Sequence, residues 1–196
     1  MPANRSPRLV IFAGPNGAGK TTHAETILAA LGISTFVNAD YIARGLSGPR
    51  AAWAAFEAGR IMLNRIQRLA DAGDDFAFES TLASRSFAPM LRRFKTQGYR
   101  IAIYYFSLSS VKLAQRRVRL RVKLGGHDVP AEDVRRRFDR SIINVFELYM
   151  PLADQWQVFD NSRRGWARPI AASDGLTLIV KDTDRWQKLQ SKRVRR

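Results

Sequence analysis

Short continuous apolar runs along this chain alternate with longer stretches whose apolar residues recur at helical spacing. Leu9-Val10-Ile11-Phe12-Ala13 has the pattern of a strand buried on both faces of a parallel sheet. A glycine-rich turn follows, then Thr21 to Leu31 favours a helix that Gly32 can end, and Thr35 to Val37 offers a second strand. After Ser47 to Pro49 the pattern predicts a long amphipathic helix. Its apolar face reads Ala52, Phe56, Gly59, Leu63, Ile66 and Ala70, at spacings of four and three, with Gly73 as its C′ residue. Phe76 to Phe78 predicts a third strand, Ser86 to Thr96 a helix and Ile101 to Leu108 a fourth strand. Strand and helix in alternation imply βαβ units, and hence an α/β fold with a parallel sheet covered by helices on both faces.

Beyond that sheet, Ser109 can cap a helix to about Lys123, Gly125-Gly126 breaks it, and Pro130 opens another helix to about Leu148. Residues 110–150 thus read as a helical lid region. Trp156 to Phe159 predicts a fifth strand. Pro169 to Ala172 and Leu176 to Lys181 flank the turn Ser173-Asp174-Gly175, which predicts a small hairpin. Lys192 to Arg196 offers no apolar face and reads as a frayed tail. With no internal repeat and no interdomain linker, 1–196 reads as one domain, with hairpin and tail from about residue 163.

Composition narrows the chemistry. A hydrophobic content of 45% is enough for a core. The chain has no cysteine, which excludes disulfides, thiolate metal sites and a catalytic thiol. The run at Leu9 is too short for a signal h-region, and nowhere do about 18 apolar residues run together. The expectation is a soluble, cytoplasmic protein without a membrane partner. The net charge is +16, from 33 basic and 17 acidic residues, and it is concentrated: residues 85–137 hold 14 basic and 3 acidic side chains, residues 1–84 hold 8 and 7. Such an excess points to a polyanionic partner or a phosphorylated ligand, and charge alone does not choose between them.

The turn after the first strand does choose. Gly14-Pro15-Asn16-Gly17-Ala18-Gly19-Lys20-Thr21 matches G-x-x-x-x-G-K-[ST] and stands between a buried strand and a helix, as the phosphate-binding loop requires. Its glycines let successive N–H groups converge on a phosphate chain, and the helix N-terminus adds positive potential. Residues 14–21 with Thr22 are therefore the expected ATP site, Lys20 serving the β- and γ-phosphates and the Thr21 hydroxyl serving Mg²⁺.

This loop serves kinases, GTPases, motors and transporters alike. The chain carries neither an Asn-Lys-x-Asp guanine signature nor a Leu-Ser-Gly-Gly-Gln signature. A small phosphotransferase fits best, and it needs an acid to take the acceptor hydroxyl's proton, a carboxylate near metal or substrate, and cations over the migrating phosphoryl group. Asp40 follows the second strand, at the sheet edge where the phosphate loop opens; it is the candidate base and can also cap a helix from Tyr41 onward. Glu79 ends the third strand, two residues before Thr81. Arg117 and Arg121 are four apart and share a helix face, so both can reach a triphosphate, whereas Arg116 and Arg119 point elsewhere. His127, in the break between the two basic helices, sits where a lid hinge is expected.

Taken in order, Gly14 to Thr21, Asn38-Ala39-Asp40, Phe78-Glu79-Ser80-Thr81, Arg117-Val118 with Arg121-Val122, Gly125 to Pro130, Arg136-Arg137-Phe138 with Arg140-Ser141, and Asp160-Asn161-Ser162 resemble the zeta-toxin-like family of small P-loop kinases. The resemblance spans Leu9 to about Ser162. It implies Lys20 and Thr21 at ATP and Mg²⁺, Asp40 as general base, Glu79 and Thr81 in the acceptor pocket, and Arg117 at the transferred phosphate. It further implies a UDP-amino sugar such as UDP-N-acetylglucosamine as acceptor, and an antitoxin as partner. Zeta toxins place a second arginine near the position of His127, and this chain has Gly-Gly-His there. Two other readings stay open at this point: a kinase acting on nucleosides or nucleic-acid ends, and a nucleotide-dependent binding module without phosphotransfer.

Overall fold

The apolar runs become the centre of a seven-stranded sheet in the order β2-β3-β1-β4-β5-β6-β7. The computed structural model describes residues 5–46, 51–126, 128–163 and 165–192. The elements are β1 (Arg8–Ala13), α1 (Lys20–Leu31), β2 (Phe36–Val37), α2 (Ala39–Gly45), α3 (Ala51–Ala72), β3 (Phe76–Ser80), α4 (Phe87–Thr96), β4 (Arg100–Ser107), α5 (Val111–Lys123), α6 (Ala131–Asn144), β5 (Gln155–Asp160), β6 (Arg168–Ser173), β7 (Leu178–Val180) and α7 (Thr183–Ser191). Strands β1 to β5 pair in parallel, and β6 and β7 add antiparallel at one edge. Helices flank the sheet, as the α/β expectation required.

The centre is where apolar burial is complete. Leu9, Ile11, Phe12, Phe76, Phe78 and Ile103 are all buried, each contributing about 1.5–3 kcal/mol relative to an exposed side chain. Gly14 marks the exit from β1. Its φ is 138°, and a Cβ there would stand 2.2 Å from the Phe106 carbonyl oxygen on β4. Gly14→Ala is therefore expected to lower stability by about 2 kcal/mol or more, measurable as a shifted denaturant midpoint.

The expected apolar face of α3 needs correction. Ile66 and Ala70 are buried, but Phe56 is 73% and Leu63 45% exposed; the side chain of Ala52 lies outside the described residues. The buried stripe instead runs Ala54, Ala58, Met62, Ile66, Leu69. Two apolar stripes share this helix, and periodicity alone does not rank them. The small residues Ala54 and Ala58 let the backbone approach the protein body, and this turns Trp53 and Phe56 outward.

Caps also differ by a residue or two. Asn38, not Asp40, caps α2, accepting from the Asp40 amide at 2.8 Å. Ser110, not Ser109, caps α5, accepting from the Leu113 amide at 3.2 Å. Pro130 stands at the N-cap of α6, which runs on into a π turn at Val145–Tyr149 and a 3-10 turn at Met150–Leu152. The hairpin is present as β6 and β7, but α7 follows where only a tail was expected. Most of that tail, residues 193–196, lies outside the described residues.

Candidate active site

Sheet register places the first acid. Phe12 pairs with Glu79 and Ala13 with Ser80, so β3 delivers Glu79 beside the point where β1 passes into the phosphate loop. The loop then curls through three left-handed glycines, Gly14, Gly17 and Gly19, a conformation that L side chains resist. A Cβ on Gly17 would press on the Ala114 carbonyl and the Arg117 side chain, and one on Gly19 would meet Asn161 Nδ2 at 2.4 Å. No acidic residue stands in the first turn of α1, so the positive end of its dipole is left for an anionic ligand.

Lys20 is only 6% exposed. Its Nζ donates to the Pro15 carbonyl at 3.2 Å and lies 3.4 Å from Glu79 Oε1. The Thr21 hydroxyl donates to Glu79 Oε2 at 2.5 Å, and Asn38 Nδ2 donates to the same oxygen at 3.0 Å. Glu79, expected beside the phosphate loop and, from the resemblance, in the acceptor pocket, is thus tied to the loop side chains Lys20 and Thr21. Thr22 is exposed on the same turn of α1. The Asn16 Oδ1 atom is buried without a hydrogen-bond partner.

Arg117 closes the loop from α5, donating to the Gly17 carbonyl at 3.4 Å and the Ser162 carbonyl at 3.3 Å. Burial first, and then the neighbouring Arg116, pull its pKa below the ordinary arginine value. Arg121, one turn on, takes a different partner: its Nη1 lies 3.0 Å from Asp40 Oδ2. The two arginines therefore divide between the loop and the candidate base rather than converging on one group.

Asp40 and the phosphate loop line one cleft of about 690 Å³. Tyr41 and Arg44 reach it from α2, Met62 from α3, Thr81 from the strand end, Phe87 from α4 and Arg137 from α6. The Arg44 guanidinium lies over the Tyr41 ring at 5.8 Å. Asn144, at the end of α6, donates to the Leu82 and Ala83 carbonyls at 3.0 Å each. Leu82 there has a φ of 51°, the one left-handed non-glycine residue among those described. His127 lies outside the described residues.

Arg44, Met62 and Phe87 were not singled out from sequence, and Arg137 entered only within the motif Arg136-Arg137-Phe138, with no role assigned. Arg44 was within reach, standing four residues after Asp40 on a helix that Asn38 caps. His23, assigned nothing from sequence, is buried against Phe106 at 5.1 Å between ring centroids and lines the cleft. Arg116, Arg119, Arg135, Arg136 and Arg140 are exposed and do not line it.

The comparisons agree with this architecture. A chain of the AvrRxo1-ORF1:AvrRxo1-ORF2 complex with ATP superposes with a TM-score of 0.78 at 16% identity, covering 97% of this chain and 65% of its own. This chain thus spans about two thirds of the AvrRxo1 chains it matches, 66% in the form with sulphate. A chain from the PezAT chromosomal toxin-antitoxin system of Streptococcus pneumoniae superposes with a TM-score of 0.60 at 13% identity, covering 98% of this chain and 87% of its own. At such identities the likeness is one of fold. An uncharacterized protein of Haemophilus influenzae (strain ATCC 51907 / DSM 11121 / KW20 / Rd) is 26% identical over 131 residues, 67% of this chain and 92% of its own length. A family model described as AAA domain matches residues 9–141, from β1 through the phosphate loop and Arg117 to most of α6. The chain therefore belongs to this AAA domain family, with a fold like that of the AvrRxo1 and PezAT chains.

Proposed function

We propose that the protein is an ATP-dependent phosphotransferase that moves the γ-phosphoryl group of ATP to a hydroxyl of a small anionic acceptor. One observation supports the reading: the phosphate loop and a carboxylate, Asp40, line a single cleft together with Glu79, Arg117 and Arg121.

Residues 14–22 hold the phosphate chain through backbone N–H groups, with Lys20 on the terminal phosphates. The Thr21 hydroxyl and the Glu79 carboxylate are adjacent hard oxygen donors that fit Mg²⁺, which supplies charge neutralisation on the phosphate oxygens. Among the described residues no group of three or more His, Cys, Asp or Glu side chains is placed to hold a metal. Asp40 accepts the proton of the acceptor hydroxyl, and Arg121 beside it orients the carboxylate. Arg117 neutralises charge on the migrating group.

Arg44 and Arg137 on the acceptor side are more cation than a neutral sugar needs. A diphosphate-linked acceptor suits them, with Tyr41, Met62 and Phe87 against its apolar faces; a UDP-amino sugar such as UDP-N-acetylglucosamine belongs to this class, and Thr81 stands ready for its hydroxyls. The toxin-antitoxin system among the structural neighbours supports an antitoxin as partner. Among the described residues, no helix is long and apolar enough to cross a membrane; the proposed location is the cytoplasm.

The test is transfer of labelled γ-phosphate to a panel of UDP-sugars, nucleosides and RNA 5′ ends. A labelled UDP-sugar, lost in Lys20→Ala with the fold intact, is the expected result. Labelling of RNA ends alone assigns the surplus arginines to nucleic acid and overturns the small-acceptor reading. ATP hydrolysis with no labelled acceptor favours a nucleotide-dependent binding module.

A further inference from the structure

Arg117 does not hold its position from α5 alone. One of its two acceptors is the Ser162 carbonyl, just beyond the end of β5, and Ser162 is itself tied down. Its hydroxyl accepts from the Ser109 amide at 2.8 Å, immediately before the helix that carries Arg117. Its own amide donates to Asp160 Oδ1 at 3.1 Å, and its hydroxyl donates to the same oxygen. Asp160 is a carboxylate only 4% exposed, and its other oxygen pairs with Arg185 of α7. Arg185 is aimed in turn by Asp182, the N-cap of α7, whose Oδ2 lies 3.1 Å from its Nε.

We infer that Arg185, on the C-terminal helix, is a positioning residue for phosphoryl transfer, acting through Asp160 and Ser162 on Arg117. A buried carboxylate is costly without a cation, so Arg185 fixes the charge and rotamer of Asp160. Asp160 in turn gathers the Ser162 amide and hydroxyl, which sets where the Ser162 carbonyl and the start of α5 lie. All three residues stand beyond the family match, which ends at residue 141. By this inference α7 is part of the catalytic framework rather than an appendage. The inference rests on Arg117 serving the transferred phosphate, as proposed above.

Arg185→Ala is expected to lower kcat about ten-fold while KM for ATP changes less than about three-fold, since a displaced arginine mainly costs transition-state contact. Arg185→Lys, which keeps a cation on Asp160, is expected to recover most of the rate. Because Arg185→Ala leaves a buried charge alone and can fail to fold, Ser162→Ala supplies a second variant. It keeps the Asp160–Arg185 pair, cuts the relay one step nearer the loop, and is expected to lose kcat to a similar extent. Two readouts do not depend on turnover: the Arg117 Nε–H resonance should shift in both variants, and the Ser109 amide should lose exchange protection. Full kcat in folded variants, or an unmoved Arg117 resonance with the Ser109 amide still protected, overturns the inference. A wild-type chain that binds ATP but transfers no phosphate overturns the kinase reading instead, and the resonance and exchange measurements then decide the relay.

Discussion

Arg117→Ala is expected to slow phosphoryl transfer about a thousand-fold, the lower end of what an arginine on a transferring phosphoryl group contributes. That corresponds to about 4 kcal/mol of lost transition-state stabilisation. The side chain is half-buried against the loop, so its charge acts where water screens poorly. Lysine is not an adequate substitute, because one guanidinium spans the Gly17 and Ser162 carbonyls and a single ammonium on a flexible stem does not reproduce that fork. Single-turnover transfer of labelled γ-phosphate measures the effect, with ATP affinity read separately. Affinity within a few-fold of wild type places the loss in the transition state. A rate that falls only as far as affinity does would make Arg117 an ordinary ground-state contact.

Asp40→Asn is expected to reduce transfer by about 10²–10³-fold, as for loss of a positioned general base, with ATP binding unchanged. Asp40 lines the same cleft as the loop, and its ion-pair partner is Arg121. Asparagine keeps the shape and one hydrogen bond to Arg121 while removing the proton acceptor. The decisive comparison is between acceptor phosphorylation and ATP affinity in the same variant. Loss of ATP binding would move Asp40 to the metal or to a structural role. The Arg121 pairing also predicts that Arg121→Ala impairs acceptor transfer more than ATP binding, by acting on the base rather than on the triphosphate.

Much of the nucleotide half was legible without coordinates, for a physical reason: it is local. Gly14 to Thr21 lie in one turn, the conformation they need is written in their glycines, and the strand before them and helix after them follow from short-range pattern. The acceptor half was only partly legible. Asp40 and Thr81 were named, and a helix from Tyr41 onward was read with Asp40 as its cap, but the cap is Asn38, and only with Asp40 inside the helix does Arg44, four residues on, share its face. Met62 was hidden by the second apolar stripe of α3, because either stripe satisfies a helical period and only packing against the protein body selects one.

Glu79 shows how far a strand-end position can be read. Its emergence beside the phosphate loop follows from a parallel sheet with β3 next to β1, yet its contacts to Thr21 and Lys20 depend on the register Phe12 to Glu79, which no local pattern encodes. The arginines show the same limit from the other side. Spacing put Arg117 and Arg121 on one face of a helix, and the tertiary structure sent them to different partners.

By itself, then, the sequence determined the α/β class, the phosphate loop with its Lys20 and Thr21, and the set of acids and arginines from which the proposed phosphotransferase site is built. Each of these is fixed by neighbours in the chain. The tertiary structure decided which of those charges meet: Glu79 with the loop, Arg121 with Asp40, and Arg185 with Asp160 and so with Ser162 and Arg117. Those pairings join residues 25 to 81 positions apart, and only the crossing order of the sheet and the packing of its helices bring them within hydrogen-bond reach.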